Sequence, residues 1–222
     1  MTAEIRDIAI FTTFAALAAT AVMLVPGVAV AWLLARRDFP GKSLVETLVS
    51  LPLVMPPVAT GLLLLWLFSR RGPLGALLAR VGIDIVFTPA AVVMAMAMMG
   101  LPLLVRTARA GFEQVTRRYE QIAETLGAGP WRVFSTVTLP LAARNILAGA
   151  VLGFSRALGE FGATIMVAGA IPGRTRTIAV GIYTLVETGR EDAAWSLLVI
   201  AAVLAFGAIY VSNRLVEQRG RA

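Results

Sequence analysis

The 222-residue chain contains neither cysteine nor histidine. Those two absences exclude a disulfide, a Cys/His metal site and any Ser-His or Cys-His nucleophile pair. With no thiol to oxidise, cysteine usage says nothing about redox compartment. Charge is scarce as well, at 15% of residues, against about 25% in soluble domains. What fills the chain instead is apolar: 58% of residues, with a mean hydropathy of +0.81. A deficit of charge concentrated between long apolar runs is the mark of a helical membrane protein. The net charge of +7 lies in segments flanking those runs. It is therefore a topology signal rather than the footprint of nucleic acid.

About 20 apolar residues cross the hydrocarbon core as a helix. Five segments meet or approach that length, and they predict one all-α transmembrane domain over residues 1–222. The first, about 8–34, is interrupted by Pro26-Gly27. The second, 47–69, is uncharged but carries Pro52, Pro56 and Pro57. The third, 85–105, is rich in Met and Ala; the fourth, 141–170, encloses Arg156 and Glu160; the fifth, 193–213, is uncharged. A signal peptide competes for the first segment, helped by Ala29-Val30-Ala31. Against it, Glu4, Arg6 and Asp7 make the leading region net negative, and the apolar run is about twice a signal core.

Five spans put the termini on opposite sides. With the N-terminus outside, twelve Lys and Arg side chains, Arg219 and Arg221 among them, fall inside and seven outside, with Arg156 inside a span. The positive-inside rule then gives N-out, C-in, with the outer pair Arg70-Arg71 as a contrary signal. The loop at 113–140 faces the cytoplasm in that topology.

Two motif fragments are decoys. Phe39-Pro40-Gly41-Lys42-Ser43 holds the tail of a phosphate-binding loop, but Arg36 stands where its leading glycine belongs and no strand precedes it. Gly153-Phe154-Ser155-Arg156-Ala157 approaches a nucleophile elbow, which needs a histidine that the chain lacks.

The segment Tyr119–Pro140, YEQIAETLGAGPWRVFSTVTLP, is polar where its neighbours are not. Tyr119, Ile122, Ala123 and Leu126 fall at i, i+3, i+4 and i+7, one apolar stripe of a short helix. Gly127-Ala128-Gly129 ends it, and Pro130 suits a new start. Trp131 and Phe134 form a second apolar edge before Leu139-Pro140 turns the chain into the fourth span. On physical grounds two readings stand: an interfacial helix anchored by Trp131 and Phe134, or a hinged module that docks into another protein.

The segment resembles the EAA loop of ABC-importer permeases, E-A-A, three residues, G, nine residues, I-x-L-P. With the motif glycine on Gly127, Val137 takes the Ile position and Leu139-Pro140 the Leu-Pro. Ala123 matches at the head, and the acidic residue is displaced by one place to Glu120. Further stretches resemble the molybdate permease family: FPGK at Phe39–Lys42, LPLVMPPVATG at Leu51–Gly61, RRG at Arg70–Gly72, ALGEFGATI at Ala157–Ile165 and IPGRTRTI at Ile171–Ile178. The likeness covers about two-thirds of the chain, Phe39 to Glu187. The GEFG form is shared with sulfate permeases.

The resemblance implies a permease without its own ATPase site. Its partners would be a second copy, two ATP-binding subunits that carry ATP and Mg²⁺, and a periplasmic oxyanion-binding protein. The setting would be the bacterial cytoplasmic (inner) membrane. Glu120, Ala123, Gly127, Gly129, Val137, Leu139 and Pro140 would form the coupling loop, with Gly127 letting the ATPase surface approach the backbone. Molybdate is the expected cargo, sulfate or tungstate the alternatives. A gradient-driven transporter would want internal repeats and more intramembrane carboxylates than Glu160; a scaffold would make no use of Glu160 or the proline-rich span.

Arg156 and Glu160 sit at i and i+4 inside a span, where each charge costs about 2.5–3.5 kcal/mol on insertion scales. They are either a path or gate element or a mutually satisfied structural pair. Pro52, Pro56 and Pro57 break the second span, either to line a path or as a static kink. Gly149-x-x-x-Gly153 suits close helix packing. Met94, Met96, Met98 and Met99 fill lipid-facing or interhelix space. On the outer side Arg174 and Arg176 precede a short amphipathic segment, 178–186, and either dock an acidic binding protein or sit in a solvated loop.

Overall fold

The computed structural model describes residues 3–217, so Arg219 and Arg221 of the charge count lie outside it. Every regular element among the described residues is helical. The order is α1 (Ala3–Arg36), α2 (Lys42–Val54), α3 (Pro57–Phe68), α4 (Pro73–Ala79), α5 (Pro89–Gln114) and α6 (Arg117–Thr125). Then follow α7 (Pro130–Val133), a π-turn (Phe134–Thr138), α8 (Leu139–Leu158), α9 (Gly162–Ala168), α10 (Ile178–Glu187) and α11 (Glu191–Glu217). Four continuous helices are long and apolar enough to cross a membrane, and α2 with α3 makes a fifth, bent passage.

Helix α5 is the axis of the bundle, packed between α1 and α8, with α11 on α8 and α3 on α9. Small residues make the contacts. Gly100 and Gly153 face each other so closely that a Cβ on Gly153 would lie 3.2 Å from the Gly100 carbonyl. Ala16, Ala19, Ala91, Ala95, Ala108 and Ala148 are fully buried, while Phe14, Trp66, Val203 and Phe206 are turned outward. That is the arrangement expected in lipid, where close backbone packing rather than burial of large side chains holds helices together. Met96 and Met99 fill interhelix space and Met98 is exposed.

The expected bounds shift in four places. Pro26 does not interrupt α1, which runs on to Arg36. A proline costs the helix one hydrogen bond, and Gly27 beside it packs against Leu101 and Leu104 of α5. The second passage does break, at Met55-Pro56, with its two halves bent by 113°. Pro52 stays inside α2, and it is Pro56-Pro57 that start the new helix. The third span begins at Pro89 and extends to Gln114. The fourth is not one helix from 141 to 170: α8 stops at Leu158 and α9 is separate.

Charges gather at the two ends of the bundle. One end carries Arg109–Glu46 (2.6 Å) and Arg36–Glu120 (3.0 Å). The opposite end carries Arg70–Asp84, where Nε donates to Oδ1 at 2.8 Å, and Glu4 with Arg176 and Arg190 (both 3.1 Å). Asp84's carboxyl is held below its ordinary range by the Arg70 hydrogen bond and charge. Despite its bend, the α2–α3 passage runs from one end to the other. Glu46 and Ser50 lie against Arg109 and Arg106 near the end of α5, and Leu67 and Phe68 share a groove with Ala90 and Met94 near its start.

Candidate functional site

Two places gather the residues singled out in the sequence: the elbow between α6 and α8, and a corner where two broken helices meet. In the elbow, α6 ends in a left-handed glycine. Gly127 has φ +85°, its N–H donates to the Glu124 carbonyl and the Ala128 N–H to that of Ala123. This pair of bonds is the Schellman termination. A Cβ on Gly127 would meet nothing within 4 Å, so backbone conformation, not packing within this chain, calls for glycine there. Gly129 has φ −69° and equally open surroundings.

The second limb departs from expectation. There is no turn at Leu139-Pro140: α7, the π-turn and α8 run on as one helical rod from Pro130 to Leu158. The Leu139 N–H donates to the Phe134 carbonyl, five residues back. This wider turn leaves room for Pro140, which lacks an N–H and would crowd a regular α-turn. The elbow's second limb is thus rigidly joined to a membrane helix. Phe134 is not a lipid anchor either. Its ring packs on Trp32 of α1 (5.6 Å between centroids) and near Phe112 of α5 (6.4 Å).

The apolar stripe of α6 faces outward. Tyr119, Ile122 and Leu126 are 55%, 48% and 83% exposed, and Trp131 beside them is 77% exposed. Ala123, Val137 and Leu139 are half-buried and Pro140 is exposed. Glu120 points the other way. Its Oε1 accepts from Arg36 Nη2 at 3.0 Å and from the Thr138 hydroxyl at 2.6 Å, linking α6 to the end of α1 and to the π-turn. The displacement of the acidic residue by one place thus has a structural use within the chain. Arg36 and Thr138 escaped the sequence reading, because their only signal is a contact 84 and 18 positions away.

At the corner, the α2/α3 break meets the α8/α9 break. A Cβ on Gly162 would lie 2.8 Å from Pro57 Cβ, and one on Gly61 2.7 Å from the backbone of Ala163. Glu160 lies here, past the end of α8 rather than inside a span, and is 1% exposed. Its Oε2 pairs with Arg156 Nη1 at 2.8 Å and its Oε1 accepts from the Ala163 N–H at 2.7 Å, capping α9. Pro57 and Glu160 therefore belong to one locus, whereas Pro52 is buried in α2 and Pro56 is exposed. Among the described residues, the hydroxyls of Thr60 and Thr164 are buried at the same corner without hydrogen-bond partners. Thr12, Thr13 and Thr20, by contrast, donate to carbonyls four residues back.

At the opposite end Arg176 is drawn into the bundle by Glu4, whereas Arg174 is exposed.

The chain as a whole, from its sequence to its all-helical membrane fold, is similar to known proteins. The family described as "Binding-protein-dependent transport system inner membrane component" matches residues 27–221. The chain belongs to this family. Among curated relatives, the molybdenum transport system permease protein ModB of Escherichia coli (strain K12) is 47% identical over 201 residues, 88% of each chain. The sulfate transport system permease protein CysT of the same organism is 35% identical over 195 residues, 88% of this chain and 70% of that one. In fold, the chain resembles a crystal structure of a bacterial ABC transporter involved in the import of the acidic polysaccharide alginate. That match has a TM-score of 0.74 and 17% identity, and covers 98% of this chain and 80% of the other.

This permease is thus a multi-pass component of the inner membrane, built from helices in the manner of ABC-transporter permeases. In it the elbow and the corner lie on the same rod, since α7 begins at the first and α8 ends at the second.

Proposed function

We propose that this permease imports molybdate. It does so as a homodimer, receiving cargo from an extracytoplasmic oxyanion-binding protein and power from two ATP-binding subunits. ATP and its Mg²⁺ are held by those subunits. The observation that carries the coupling is the elbow: an exposed apolar face on one side, and on the other an ion pair and a continuous helix into the bundle. A push on Trp131 or Leu126 is delivered to α8 as a rigid-body displacement, because the π-turn is helical and Glu120 ties α6 to it. In the N-out, C-in topology the elbow faces the cytoplasm, where ATP is available.

The far end of that rod is the facing pair of helix breaks. Broken helices within membranes are tolerated where they line a path or rearrange. Unpaired Thr60 and Thr164 hydroxyls support a corner that repacks, since groups left unsatisfied in one state can be satisfied in another. The cargo assignment is supported by the ModB relatives at 47% identity over 88% of the chain.

Reconstitution in vesicles with the ATP-binding subunits and the binding protein tests this reading. ATP-dependent uptake of molybdate, resisting an excess of sulfate, is the expected result. Uptake of sulfate in preference would favour the second reading, that of a sulfate permease, which the CysT relative supports. Uptake without the ATP-binding subunits would overturn both.

A further inference from the structure

At the elbow end a cavity of about 270 Å³ opens between the end of α1 and the flank of α6. Trp32 and Phe134 give it an apolar side; Arg36, Arg37 and Arg117 converge on it, together with Glu120 and Glu124. Arg117, Glu120, Gln121 and Glu124 fall at i, i+3, i+4 and i+7 and form one stripe of α6. That stripe is not the exposed apolar one through Tyr119, Ile122 and Leu126. The cavity therefore lies on the flank of the elbow turned towards the membrane helix α1, away from the face that a partner protein would meet.

Its electrostatics are incompletely resolved within the chain. Arg36 has a side chain only 10% exposed. Its Nη2 donates to the Val115 carbonyl (2.9 Å) and to Glu120, and its Nε is buried with no hydrogen-bond partner among the described residues. The Glu120 carboxylate is already committed to Arg36 and Thr138. Arg37 and Arg117 make no salt bridge among the described residues. Beyond the rim, Asp38 is held below its ordinary range by a hydrogen bond from Lys42 at 2.9 Å, with Arg117 adding to the effect. Guanidinium donors gathered beside an aromatic wall, at the end of a membrane span, are chemically matched to a phosphate group carried on an acyl chain.

We propose that this cavity holds the phosphate of an anionic phospholipid from the leaflet at the elbow end. Trp32, one helical turn deeper than Arg36, lies where the glycerol and first acyl carbons follow the phosphate into the membrane. A headgroup seated there joins α1 to α6, as the Arg36–Glu120 pair does, and stiffens the elbow against the bundle. The inference depends on membrane insertion alone and not on the identity of the cargo.

The test uses the intact permease in nanodiscs of phosphatidylcholine, with or without a minor share of phosphatidylglycerol. Lipid retained after detergent extraction is counted by native mass spectrometry and Tm is recorded. Preferential retention of phosphatidylglycerol and a raised Tm are expected. The double variant Arg37→Gln/Arg117→Gln weakens that retention by about thirtyfold. Glu124→Gln, which removes a negative charge from the lining, strengthens it, an outcome that misfolding cannot mimic. Equal retention of both lipids, or weaker retention in Glu124→Gln, overturns the proposal. So does an equal rise in Tm from inorganic phosphate in phosphatidylcholine alone, which would mark a site for a free anion. Expulsion of the lipid on adding the ATP-binding subunits also overturns it, because the cavity would then belong to the protein interface.

Discussion

Arg36, the last residue of α1, donates to Glu120 of α6 across 3.0 Å, and both side chains are largely shielded from water. This contact, with the Thr138 hydroxyl on the same carboxylate oxygen, ties α6 both to the end of α1 and to the π-turn. Glu120→Gln leaves Arg36 without its counter-charge and costs about 2 kcal/mol. The double variant Arg36→Met/Glu120→Leu recovers part of that loss, because an apolar pair needs no desolvation. Thermal unfolding of the purified permease measures both, and uptake falls in Glu120→Gln even at temperatures where it stays folded. Equal Tm values for the two variants would show that removing the counter-charge leaves no desolvation penalty for an apolar pair to recover.

At Gly127 the requirement is conformational within this chain. A left-handed residue other than glycine costs about 1–2 kcal/mol, and asparagine tolerates it better than a β-branched residue. Gly127→Asn is therefore expected to keep most uptake and Gly127→Val to lose it. Gly129→Ala introduces no strain at φ −69° and meets no neighbour. If Gly129→Ala nevertheless lowers association with the ATP-binding subunits, measured by co-purification, the partner approaches the backbone there.

The Arg156–Glu160 pair has an asymmetric response built in. Glu160 is 1% exposed, whereas the Arg156 side chain is 26% exposed. Arg156→Gln strands a buried carboxylate; Glu160→Gln keeps an acceptor for the Ala163 N–H and leaves an arginine that is only partly buried. The first variant should lower Tm more than the second. Normal uptake by folded Glu160→Gln would assign the pair to holding the corner, and a loss of uptake at unchanged Tm would assign it to the path.

Helix contacts through glycine differ in what they can yield. A Cβ at Gly61 would strike the backbone of Ala163 at 2.7 Å, while one at Gly153 would chiefly strike the movable Met23 Cε at 2.3 Å. Gly61→Ala should therefore cost more than Gly153→Ala, within the range of about 1–3 kcal/mol for overpacking. Comparison of their thermal unfolding in one detergent decides it, and the reverse order would mean that α3 and α9 can separate freely.

Residue pattern alone determined a good deal. Apolar runs of span length made the chain helical and membrane-embedded, because in lipid every backbone polar group must be satisfied along the segment. The spacing of Tyr119, Ile122 and Leu126 made α6 amphipathic, and Gly127 ended it; both follow from local geometry. Local pattern placed a break among the prolines of the second span, but it did not reveal that Pro26 and Pro52 lie inside unbroken helices while Pro56-Pro57 alone carries the 113° bend. A proline lowers the cost of a break but does not decide it; the packing of α5 against Gly27, and of α9 against Pro57 and Gly61, does. Nor could spacing show that Phe134 faces inward, that Glu120 is spent on Arg36, or that Arg176 is held by Glu4. Each of these is a contact between residues distant in the chain, and only the assembled bundle brings their side chains within reach.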